Sequence, residues 1–113
     1  MYLSPELLGR DFVIERKTQT ITESGRKAVT YKPTGKHLRG VLAEAKALEL
    51  ERWKQLQHPI THTIVQKGGR CLVRVGDRLI LGGRAFYIQG IDNIGALNLF
   101  TQIFAEERSD TNA

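Results

Sequence analysis

The stretch GDRLILGGRAFYIQGIDN, residues 76–93, decides the fold class. Gly76 and Asp77 are a turn signal ahead of a short apolar strand, RLIL. Gly82-Gly83 then marks a tight hairpin, since glycine reaches the positive φ that such turns use. In RAFYIQGIDN the period is two: Phe86 and Ile88 share one face, Tyr87 and Gln89 the other. IDNIGA reads as a loop, with Asp92 as a turn residue.

The flanks continue the pattern. Downstream, LNLFTQIFAEER reads as a last strand. Leu97, Leu99, Thr101 and Ile103 stand in one phase, Phe100 and Phe104 in the other. Apolar residues in both phases imply a strand covered on both faces or one that meets a partner subunit. The same logic makes Phe86, Tyr87, Phe100 and Phe104 candidates for an interface between subunits. Upstream, DFVIERKTQT alternates, with Phe12 and Ile14 opposite Val13 and Glu15. Ser24-Gly25 turns the chain, and KAVTYKP returns it, with Pro33 and Gly35 breaking or bulging the return. KHLRGVLAEA is a further strand, with Leu38, Gly40 and Leu42 in phase.

Between the strands lies AEAKALELERWKQLQ, residues 43–57, rich in strong helix formers and free of Gly, Pro and β-branched residues. It predicts a helix over about residues 44–57. Its expected apolar face runs through Leu42, Ala45, Leu48 or Glu49, Arg52 or Trp53, and Leu56. The helix should end at His58, because Pro59 disfavours helical geometry in the residue before it. ITHTIVQ then reads as a strand, with Ile60, His62 and Ile64 on one face. The sum is a mainly β chain. The fold expected is a small, partly closed antiparallel β-barrel with one α-helix, in a single domain spanning residues 1–113 with loose termini near 1–8 and 109–113.

Composition narrows the function. No apolar run approaches the roughly 18 residues a membrane helix needs, so no membrane partner is expected. MYLSPELLGRDF lacks a basic region followed by an apolar block, so no signal peptide is expected. One cysteine, Cys71, cannot make an internal disulfide and reads as a small half-buried strand residue. His58 and His62 fall on different elements, and no metal-binding spacing surrounds them, so neither a metal nor another cofactor is expected. The acids are scattered, Glu106 and Glu107 point apart, and no serine lies in a nucleophile elbow. The chain does not read as an enzyme.

The net charge is +5, and it is uneven. Residues 1–39 hold eight Lys/Arg against four Asp/Glu, whereas residues 59–113 hold six against five. GRKAVTYKPTGKHLR concentrates the excess in Arg26, Lys27, Lys32, Lys36 and Arg39, with no acid among them. Such a hairpin is either an edge kept soluble by charge or a face that attracts phosphate without reading bases.

The order of these blocks carries a resemblance over residues 10–108. It runs FVIERKT, SGRK, a basic second strand, LERWKQLQHPITHTIVQKG, GDRLILGGRAFYIQGIDN and IFAEER. This is similar to the head-closure proteins of tailed bacteriophages, also called head–tail joining or stopper proteins. Its specificity lies in order and spacing, since no single position is diagnostic. The resemblance implies a small β-barrel in the virion neck, assembled in the bacterial cytoplasm into a ring of about twelve copies. Its implied partners are other copies of itself, a portal–adaptor ring above, a tail-completion or terminator protein below, and packaged DNA in the channel. It implies closure of the DNA channel after packaging and a docking platform for the tail. A channel-facing or gating segment would then comprise Lys46, Glu49, Glu51, Arg52, Trp53, Lys54 and Gln55. Alternatively the basic hairpin loop, residues 21–27, would serve that role. Two other readings stand beside it. One is a tail-terminator ring, usually hexameric. The other is a small basic barrel binding single-stranded nucleic acid through aromatics such as Tyr31, Phe86, Tyr87, Phe100 and Phe104.

Overall fold

The computed structural model describes residues 8–68 and 71–109. Six strands are present: β1 (Arg10–Ile21), β2 (Lys27–Glu44), β3 (His62–Lys67), β4 (Arg78–Leu81), β5 (Arg84–Asn93) and β6 (Phe100–Arg108). Among the described residues helix α1 (Ala47–Gln55) joins β2 to β3, and a 3-10 turn, Ile94–Ala96, joins β5 to β6. Every pairing is antiparallel, and the order β1-β2-β3-β6-β5-β4 closes on itself through β4 and β1. The described residues form the expected antiparallel β-barrel, with helix α1 between β2 and β3.

Register explains the core. Directly opposite residues in a sheet share a face, and the apolar ones align across strands. Phe12 faces Leu38, Ile14 faces Leu79, and Leu79 faces Phe86. On the far side Leu42, Ile64, Ile103 and Ile91 form a second row. Phe12, Ile14, Ile64, Leu79, Phe86 and Ile103 have no exposed surface at all. Phe12 and Phe86 meet edge to face with ring centroids 6.0 Å apart. Gly40 sits where β2 presses on β3: a Cβ there would lie 2.7 Å from Cγ2 of Ile64.

Two irregularities shape the barrel. On β2, Thr34, Gly35 and Lys36 together stand opposite Ile14 alone. Gly35 takes φ +81°, and the Thr34 hydroxyl donates to the Ile14 carbonyl at 3.1 Å. Pro33 and Gly35 therefore mark a bulge, as their presence in a strand suggests. On β5, Gln89 is extra between the pairs Ile88–Ala105 and Gly90–Phe104. The second bulge flips the phase: Phe86 and Ile88 point inward before it, Ile91 after it.

Several sequence expectations shift. β2 is one strand of 18 residues rather than two strands. It claims Ala43 and Glu44 by pairing them with Thr63 and His62, so the helix begins later than residue 44. The helix starts at Ala47, where the Glu49 side chain accepts from the Lys46 backbone N–H at 3.1 Å. It also stops sooner than His58. Gln57 takes φ 61°, His58 N–H donates to Trp53 O, and Gln57 N–H donates to Lys54 O, each at 3.0 Å. That is a Schellman termination with glutamine in the position glycine usually holds. Asp92 belongs to β5, not to a turn, and β6 begins at Phe100, leaving Leu97 and Leu99 outside it. Cys71 is half-buried but lies in an irregular segment rather than a strand. The expected loose termini lie almost wholly outside the described residues.

Candidate functional site

The β1–β2 hairpin outruns the barrel. β4 reaches only as far as Glu15 on β1, and β3 pairs with β2 only from Val41. Residues 16–21 and 27–32 therefore have only each other as strand neighbours and form a two-stranded ribbon. Its turn is closed by Thr22 N–H donating to Arg26 O at 2.8 Å and Gly25 N–H donating to Thr22 O at 2.9 Å. Ile21 and Val29 stay exposed on it.

Register splits the candidate cations. Lys32 stands opposite Arg16, on the face that continues Phe12 and Ile14. Lys27 stands opposite Ile21, on the other face with Lys17 and Tyr31. Arg26 lies in the exposed turn, Lys36 in the bulge, and Arg39 is bound to Asp11 at 3.1 Å on the barrel wall. The five residues do not make one patch. The ribbon instead shows a cation on each face.

Arg16, absent from the sequence-based candidates, organises the ribbon's base. Its guanidinium grips both carboxylate oxygens of Asp77, at 3.2 and 3.1 Å, and donates to Leu72 O at 3.2 Å. Asp77 is almost wholly buried and also accepts from the Arg74 N–H at 2.9 Å. The Asp77 hydrogen bond is the main reason the Arg16 pKa rises above its ordinary value. An arginine in phase with Phe12 and Ile14 was the available signal for a charge placed at the end of a core. On the outer face Arg78 donates to Glu15 at 2.6 Å and to the Tyr87 hydroxyl at 3.1 Å, and lies over the Tyr31 ring. Arg108 covers Tyr87.

The aromatic candidates separate. Phe86 has no exposed surface and fills the core, so it offers nothing to a second subunit. Tyr87 is buried by Tyr31, Arg78 and Arg108. Phe104 faces outward, yet Trp53 covers it with ring centroids 4.8 Å apart. Phe100 is half-buried. The two-phase pattern on β6 thus has an internal cause at Phe104: the helix shields it within the same chain.

Helix α1 is held against the outside of the sheet from one side. Trp53 lies on Phe104 and on Gly90, which the Gln89 bulge turns outward, and any Cβ at Gly90 would overlap the indole. Gln102 donates to the Glu49 carboxylate at 3.2 Å. Lys46, Glu51, Arg52, Lys54 and Gln55 are exposed, and no helix residue is fully buried. Contrary to the expected face, Leu48 is 85% exposed and Leu56 53%. Leu97 and Leu99 are exposed too.

Burial pushes the Cys71 thiol up, which keeps it protonated near neutrality. Among the described residues no three His, Cys, Asp or Glu side chains converge, and no helix is long and apolar enough to cross a membrane.

No family model matches the chain, and no curated protein matches it by sequence. Solved structures do. A chain of the virion of a native gene transfer agent particle superposes with a TM-score of 0.57 at 16% identity, over 88% of this chain and 94% of that one. Protein SF1141 from Shigella flexneri 2a superposes with a TM-score of 0.62 at 18% identity, over 88% and 92%. At these identities the likeness establishes a shared fold across nearly the full length of all three chains.

Proposed function

We propose that this chain is a structural protein of a phage-like virion, and more finely the head-closure subunit of its neck. The observation that carries the reading is the end-to-end fold likeness to a component of a gene transfer agent virion. The order and spacing of blocks over residues 10–108 point the same way from sequence alone. In this reading about twelve copies form a ring between the portal–adaptor complex and the tail.

Subunit contacts in a ring are heterologous, so two different patches must fit each other. The exposed leucines at 48, 56, 97 and 99 supply apolar surface beyond what the core uses. They replace Phe86 and the self-covered Tyr87 and Phe104 as interface candidates. The ribbon, with Arg26 at its turn and Lys27 and Lys32 on its faces, is the part that reaches channel DNA. It meets the phosphates without base contacts. Beyond its anchors at Arg16 and Tyr31 the ribbon has no strand neighbour but itself, whereas Trp53 holds α1 on the sheet, so the outer ribbon is the gating element in this reading.

Deleting the gene and imaging the particles tests this. Tailless heads emptied of DNA, beside free finished tails, are the expected result. Full heads with overlong tails would assign the chain to the tail terminator. Normal particles would reject a neck role and favour a nucleic-acid-binding module.

A further inference from the structure

At the base of the ribbon, the segment 71–77 folds back beneath the β2 bulge. Arg16 ties it there through Leu72 O and Asp77. Between segment and bulge lies a cleft of about 380 Å³ lined by Arg16, Thr34, Lys36, Cys71, Leu72 and Arg74. We infer that this cleft binds a phosphodiester of a nucleic-acid backbone, held by Lys36 and Arg74 above the Arg16 guanidinium.

The lining decides the sign of the ligand. Among the described residues of the lining three are cations and none is a carboxylate. Asp77 lies behind Arg16, and both its oxygens are taken, one by Arg16 Nε and the other by Arg16 Nη2 and the Arg74 N–H. It offsets one positive charge and leaves two. Lys36 and Arg74 make no ion pair among the described residues. Arg16 uses Nε and Nη2 on the protein, which leaves Nη1 for a ligand. A fixed guanidinium beside a mobile ammonium suits tetrahedral oxyanions.

The lining also narrows the class. Leu72 is 41% exposed and gives the cleft an apolar wall. A free phosphate makes no use of such a wall, whereas the sugar of a nucleotide packs on it. Lys32 stands directly across from Arg16 on the same face of the ribbon, so a second cation continues the track beyond the cleft. The choice of DNA as the source rests on the neck reading above. The anion chemistry of the cleft does not.

The test is a two-dimensional amide NMR titration of the full chain with a thymidine hexanucleotide and, separately, with inorganic phosphate. Saturable shifts centred on residues 34–36 and 72–74 are expected with the oligonucleotide, with affinity falling as salt rises. Lys36→Ala with Arg74→Ala should weaken binding about tenfold or more and lower the salt slope by about one to two. Both side chains are exposed, and the Arg74 N–H still reaches Asp77, so the variant keeps its fold. Arg52→Ala with Lys54→Ala removes the same charge from the exposed side of α1 and should change affinity only about twofold. Equal losses from the two double variants, shifts confined to the ribbon tip, or phosphate binding as tightly as the oligonucleotide would each overturn the assignment. The titration needs no particle, so its failure and the failure of the neck reading are separately visible.

Discussion

At the scale of single residues, Trp53, Gly90 and Phe104 form one unit. Gly90→Ala places a methyl group inside the indole. It should cost about 1–3 kcal/mol in chemical denaturation, the range for overpacking. In a Trp53→Ala background the same change should be nearly neutral, because the clash is gone; an unchanged cost would place the strain elsewhere. Asp77 is a second such point. Asp77→Ala strands the Arg74 N–H and the Arg16 guanidinium at the core's end. A loss of roughly 1–3 kcal/mol is expected, read from urea unfolding. Neither unit was legible from sequence. Arg16 and Asp77 are 61 positions apart, and no local pattern joins them. The Gly90 contact depends on a bulge at Gln89 that alternation alone does not reveal. The basic residues of the ribbon were legible as a group, but their division between two faces depends on register.

Elements show where local preference governs and where pairing overrides it. The hairpin around Gly82-Gly83 follows its sequence closely, since turn chemistry and alternation agree there. Ala43 and Glu44 are good helix formers, yet four ladder partners on β3 draw β2 past them. The helix end shows the reverse tension. Gln57 holds a left-handed conformation that favours glycine. Gln57→Gly should stabilise the chain by up to about 1 kcal/mol, or several degrees in thermal midpoint for a domain of this size. Calorimetry checks this, and a fall in midpoint would mean that the glutamine side chain contributes something its backbone does not show. The outer part of the ribbon, beyond Arg16 and Tyr31, is paired only with itself. Replacing residues 19–29 with a two-residue Asn-Gly turn should leave the thermal midpoint within a few degrees, because the removed segment buries no core residue.

Across the whole molecule, the closing seams are partly ionic. Arg84 at the start of β5 binds Glu107 near the end of β6 through two contacts of 2.7 and 3.0 Å. That hydrogen-bonded pair holds the Glu107 carboxyl below the usual range. A lowered folded pKa gives stability that is complete above the ordinary carboxylate range and is lost as pH falls toward the lowered value. Glu107→Gln should therefore flatten the acid limb of the stability profile and leave the neutral region little changed, as thermal melts across pH would show. The pair is largely solvent-facing, so the effect is small. The docking of α1 has one more consequence. The chain's single indole lies tilted on an aromatic ring, at the junction between the helix and the barrel wall. Its emission therefore reads one coordinate, the height of the helix above the sheet. A stopped-flow trace of unlabelled protein would record whether that height changes when copies assemble, and in what order.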